Sequence, residues 1–215
     1  MIETVENAAQ LAVVSICCGI SVFYSMHRRS RLWVLMSLFY GTFLLGVLYW
    51  LLYLLFYGYT PLFRYISELS WYTAYLFLFM VLQFVADPAE RQMKSRLPLL
   101  TIVFAAGMCV LYAQCSSWLS NFLSAIIMSL LMFHATRGLL FCRSRKQPCR
   151  LRRLYRVTML FCTAEYCMWT VTCFYWSDHI SNPYFWFDIL QTICFPMFIP
   201  AVAGMEQTGK AVDAA

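Results

Sequence analysis

Residues 27–57 read HRRSRLWVLMSLFYGTFLLGVLYWLLYLLFY, a short basic cluster followed by twenty-six residues without a charge. About 20 mostly apolar residues suffice for a helix to cross a hydrocarbon core roughly 30 Å thick. This stretch therefore reads as a membrane-spanning helix with its cations held at one end. The rest of the chain repeats the pattern. Of 215 residues 62% are hydrophobic and only 12% are charged, with a mean hydropathy of +0.66. Soluble domains carry about 25% charged residues. A soluble enzyme, a nucleic-acid-binding module and a disordered linker are excluded as classes, and an all-α polytopic membrane protein is what remains.

Seven spans are expected, at about 8–26, 32–57, 69–87, 98–115, 118–140, 154–176 and 184–204, forming one domain over residues 1–215. Prolines mark their ends: Pro61 follows the second span, Pro88 closes the third, and Pro98 and Pro183 open the fourth and seventh. Proline suits a first helical turn or the residues just past a helix, where its missing N–H is not needed.

Fifteen of the sixteen Lys and Arg residues fall in the first, third and fifth loops, at their helix ends, or in the C-terminal tail. Arg64 alone falls on the other side. By the positive-inside rule those loops and the C-terminus are cytoplasmic and the N-terminus is outside. The net charge of +6 is thus topogenic and no nucleic-acid signal. Arg143, Arg145, Lys146, Arg150, Arg152 and Arg153 form a polybasic segment that can also grip anionic lipid headgroups, at about 1 kcal/mol per charge. Glu3 and Glu6, with no basic residue before the first apolar run, argue for a retained first span over a cleaved signal peptide. A bacterial cytoplasmic membrane is the expected location.

Most of the ten cysteines lie inside spans and read as small apolar side chains; packing could bring Cys162, Cys173 and Cys194 near each other, though nothing in their spacing demands it. Cys142 and Cys149 are expected to face a reducing cytoplasm. No C-x-x-C, Ser-His-Asp or H-E-x-x-H arrangement is present and no span carries a lysine, so no enzyme, metal site or cofactor is expected. Ionisable groups inside spans are the stronger leads, because each costs about 2.5–3.5 kcal/mol to insert. Glu165 lies mid-span as a proton- or ligand-linked switch, or as a structural hydrogen bond to Asn121 or His134. Pro196 and Pro200 kink the last span and free backbone carbonyls there. Glu68 and Asp188 sit near outer helix ends, where aromatics are crowded, Trp50, Trp71, Tyr72, Trp169 and Trp176 among them. A plain interfacial belt is one reading. The other is a cation–π or amphiphile-binding vestibule between the second, third, sixth and seventh spans.

Trp50 and Trp169 precede Glu68 and Asp188 by 18 and 19 residues, which suggests a three-plus-one-plus-three repeat. That layout is similar to the SWEET-type facilitators in length, span number and outside N-terminus. Their Pro-Gln signature is missing from Ala12-Val13-Val14-Ser15-Ile16-Cys17 and from Ala125-Ile126-Ile127-Met128-Ser129. Tyr65-Ile66-Ser67-Glu68-Leu69-Ser70-Trp71-Tyr72 and Phe187-Asp188-Ile189-Leu190 resemble helix starts in the multi-pass sensor regions of bacterial signalling proteins. The resemblance implies an integral membrane sensor or ligand-binding module. Only ten residues follow Met205, so the signal is expected to pass to a cytoplasmic partner. The rival expectation is a small-solute facilitator.

Overall fold

The computed structural model describes residues 2–61, 63–115, 117–145, 149–175, 179 and 181–212, with side chains through Met205. Lys146 and Trp176 lie outside the described residues. The described chain is helical, with eight helices: α1 Ile2–Arg28, α2 Arg31–Tyr57, α3 Tyr65–Val85, α4 Pro88–Arg91, α5 Leu99–Tyr112, α6 Trp118–Ser144, α7 Arg152–Phe174 and α8 Pro183–Val212. Six of them, α1, α2, α3, α6, α7 and α8, are long and apolar enough to cross a membrane.

The expected fourth span is shorter than its apolar run. Pro98 stands at the start of α5, and tight turns close its far end, from Ala113 N–H to the Val110 carbonyl and from Cys115 N–H to the Tyr112 carbonyl. Fourteen residues rise about 21 Å, against a core of roughly 30 Å. Other boundaries also move. The first helix begins at Ile2, so Glu3 and Glu6 are helical. Helix α3 begins at Tyr65, which places Glu68 in its first turn. Pro88 does not close α3; it opens α4, whose N-cap Asp87 accepts the Ala89 N–H at 2.8 Å. Helix α8 continues through both Pro196 and Pro200.

Short connections force neighbours to run antiparallel. Arg29 and Ser30 alone join α1 to α2, and Gly58 ends α2 in the left-handed region (φ 75°), its N–H returning to the Leu54 carbonyl at 2.9 Å. The six long helices close a ring: α1 packs on α2, α2 on α3, α3 on α6, α6 on α7, α7 on α8, and α8 back on α1. Helix α5 lies outside this ring against α6. Two three-helix halves would give the same order, and so would a plain up-and-down ring.

The centre of the ring is aromatic. Phe39 and Phe43 of α2, Phe161 of α7, and Phe195 and Phe198 of α8 are buried, with ring centroids 4.5 Å apart for Phe43–Phe195 and 5.6 Å for Phe161–Phe195. The outer surface is apolar too: Ile16, Phe23, Leu45, Leu55, Leu69, Val103, Phe122 and Ile193 are all exposed. A helix bundle that is apolar inside and out is built for lipid.

Candidate functional site

A cavity of about 600 Å³ opens at one end of the ring. That end gathers the N-termini of α1, α3 and α8, the C-termini of α2 and α7, and the turn between α5 and α6. Among the described residues, the basic loops all lie at the opposite end. Arg64 is the exception, exposed at the cavity mouth.

Helix rise sets the depth of the walls. Glu165 lies nine residues before the end of α7, about 14 Å down. Gln191 lies eight residues into α8, about 12 Å down. The two meet there, Gln191 Nε2 donating to one carboxylate oxygen of Glu165 while Trp169 Nε1 donates to the other at 3.0 Å. The Tyr75 hydroxyl donates to the same carboxyl. Nearer the mouth, Asp188 accepts Gln10 Nε2 at 2.8 Å, and that amide also reaches Thr192 Oγ1 at 3.1 Å. Glu68 accepts the Ser120 hydroxyl at 2.7 Å, and Trp50 Nε1 donates to Glu3 at 3.0 Å. Phe43 and Tyr75 form the floor, directly above the aromatic centre, which separates the cavity from the basic half.

Of the residues singled out from the sequence, Glu68, Trp71, Trp50, Trp169, Asp188 and Glu165 all line this one cavity. Tyr72 does not. It is buried, and its hydroxyl pairs with Ser120 Oγ at 2.6 Å, so it supports Glu68 from behind. The expected partners of Glu165 also differ. Asn121 donates to the Tyr112 carbonyl, and His134 lies towards the basic end, with Gln83 Nε2 at 2.7 Å and Arg137 at 2.8 Å. Pro196 and Pro200 lie beneath the cavity, and the neighbouring Phe195 carbonyl accepts the Tyr40 hydroxyl at 2.7 Å.

Sequence reasoning placed Tyr75 only among the crowded outer aromatics and missed Glu3, Asn7, Gln10 and Gln191 as wall residues. Asn7 and Gln10 are three apart and both buried, just before the apolar run that starts at Leu11. A polar pair on one helical face was the available signal. Trp71 is positioned by a close approach. A Cβ at Gly46 would lie 2.6 Å from its indole nitrogen, so glycine is what admits the ring.

The cysteines pair differently from expectation. Cys142 and Cys149 form a disulfide at the basic end. Cys115 and Cys173 face each other at the cavity mouth, while Cys162 lies near Cys194. No group of His, Cys, Asp and Glu able to hold a metal ion occurs among the described residues.

The basic end has its own polar cluster. Glu90 of α4 is only 1% exposed; it accepts the Tyr155 hydroxyl at 2.7 Å and lies 3.7 Å from Arg137 Nε. Burial pushes the Glu90 carboxyl above its ordinary range, and Tyr155 and Arg137 pull it part of the way back. Arg145 pairs with Asp87 at 2.9 Å and stacks over Phe141. Arg143, Arg150, Arg152 and Arg153 are exposed.

No protein-family model matches the chain, and no curated protein or solved structure is similar to it, so neither the sensor-region nor the SWEET resemblance gains support.

Proposed function

We propose that this chain crosses a bacterial cytoplasmic membrane seven times, N-terminus outside, and binds a small molecule that enters the cavity from the outer face. The observation that carries the reading is the cavity itself. Its volume falls within the usual range for small-molecule sites, roughly 300–1,000 Å³. It combines aromatic walls with convergent polar groups, and it opens at the end opposite the basic loops. With α5 counted as a span, lengthened by its flanking turns, the positive-inside rule puts that mouth outside.

As a sensor, the protein would report occupancy through Glu165. This residue ties α7 to α8 at the cavity floor, just above the packed phenylalanines and the Pro196–Pro200 segment of α8. A shift there would reach the basic end, where Arg143, Arg145, Arg150, Arg152 and Arg153 face a cytoplasmic partner or anionic headgroups. Native mass spectrometry of the purified protein tests the reading. A discrete non-lipid mass retained by the parent, and lost when Thr172→Trp fills the mouth, is the expected result. Retention that is unchanged by that substitution would sink the proposal.

One observation favours a second reading, a small-solute facilitator. The aromatic centre and the Glu90–Tyr155–Arg137 cluster close the basic half while the other half stands open, as in one state of an alternating-access cycle. Saturable solute flux in proteoliposomes would select this reading, and intact gradients would select the sensor.

A further inference from the structure

We propose that the cavity takes an organic cation, with its ammonium group at the deeper carboxyls Glu165 and Asp188 and its apolar body against Trp50, Trp71 and Trp169. The inference rests on the reading that the cavity holds a small molecule, and it names that molecule's class.

The argument begins with unbalanced charge. Among the described residues, Glu68, Glu165 and Asp188 accept hydrogen bonds only from neutral donors: Ser120, Trp169, Gln191, Tyr75 and Gln10. Ion pairs occur instead at the basic end, Arg137 with Glu90 and Arg145 with Asp87. Among the described residues of the wall the basic side chain is Arg64, and it is exposed at the mouth. Carboxyls set deep in a membrane bundle are costly unless a cation or a proton balances them. An anionic ligand would meet these acids. A neutral ligand would leave each of them to a proton. A cation balances them directly.

The walls then choose among cations. Tryptophan faces attract positive charge and give the strongest cation–π contacts of any side chain. About 600 Å³ is far more than a bare metal ion fills, and among the described residues no metal-holding group lines it. An ammonium carrying an apolar or aromatic body satisfies both the acids and the indoles. That ammonium can belong to a free amine or to an aminophospholipid headgroup, because the chemistry at the acids is the same.

The test uses three probes that share one phenylethyl body: 2-phenylethylammonium, 2-phenylethanol and 3-phenylpropanoate. Binding is followed by tryptophan fluorescence and calorimetry on the full chain in nanodiscs. The expected result is that the ammonium binds about tenfold or more tightly than the alcohol, with the carboxylate weakest. The Glu165→Gln/Asp188→Asn variant should lose about tenfold in affinity for the ammonium, and Gly19→Ala, remote from the cavity, should lose nothing. Asp188→Asn alone gives a second reading if the double variant does not fold. Nanodiscs with and without phosphatidylethanolamine separate the sources: competition by the lipid identifies a headgroup, and its absence identifies a free amine. Equal affinity for the alcohol, or retention of affinity in the carboxyl variants, would overturn the proposal. If no probe binds while native mass spectrometry still finds a retained molecule, the ligand class is wrong and the cavity reading stands. If neither is seen, both fall.

Discussion

Replacing Glu165 with leucine separates a group that organises the cavity floor from one that merely fills space. Its carboxylate accepts three donors: Trp169 Nε1 at 3.0 Å, Gln191 Nε2 and the Tyr75 hydroxyl. Leucine accepts none of them. Trp169 is half-buried at the cavity edge, where water can replace the lost acceptor, but Gln191 and Tyr75 are each 2% exposed. Two orphaned buried donors cost about 3 kcal/mol together. Removing the carboxyl from a low-dielectric site returns about 1 kcal/mol, for a net loss of about 2 kcal/mol. That corresponds to a melting point about 4–8 °C lower. Glu165→Gln keeps one acceptor oxygen, and Gln191 can rotate its amide to present its own, so its cost stays below about 1 kcal/mol. Thermal melting of parent, Gln and Leu forms in the same detergent reads the difference. If the Leu form melts with the parent, the hydrogen-bonded floor contributes nothing and the switch proposed at Glu165 loses its basis.

Two further predictions concern the basic end. Gly138→Ala should destabilise by about 1–3 kcal/mol, because the new Cβ would overlap the Tyr155 ring, which is buried and tethered to Glu90. Gly19→Ala, with nothing within 4 Å, should be neutral or slightly stabilising in the same melting assay. For Glu90 the pH dependence has a defined sign. Its carboxyl is raised in the folded state, so its contribution is fully present below the ordinary carboxyl value and is lost as pH rises through the raised one. The melting-point lead of the parent over Glu90→Gln should therefore narrow as pH rises above the ordinary carboxyl value of about 4. A lead that widens instead would mean that the Arg137 pairing outweighs burial.

The physical reasons for what the sequence reveals differ from element to element. The long helices are legible because a bilayer imposes length and apolarity residue by residue, and residues 32–57 could hardly be anything else. The same logic overestimates α5. Apolarity continues to Cys115, but Pro98 and the turns after Tyr112 shorten the helix itself. At the cavity, Glu68, Asp188 and the tryptophans stand out because each is conspicuous alone in an apolar segment. Gln10, Tyr75 and Gln191 are not, and their role depends on closure of the ring, which brings α1 against α8. Tyr72 illustrates the converse: next to Trp71 in sequence, it projects from a different face of α3 and reaches Ser120 of α6 instead. The Cys142–Cys149 bond was not expected because the positive-inside rule places both cysteines on the reducing side of the membrane.

The account depends on the cavity mouth and the basic loops facing opposite sides of one membrane. The direct test is labelling with a membrane-impermeant maleimide in intact cells, using Tyr59→Cys beside the mouth and Arg150→Cys in the basic loop, each in a Cys115→Ser background. Tyr59→Cys should react from outside, and Arg150→Cys only after the membrane is opened. Reaction of Arg150→Cys in intact cells, with Tyr59→Cys protected, would contradict the account.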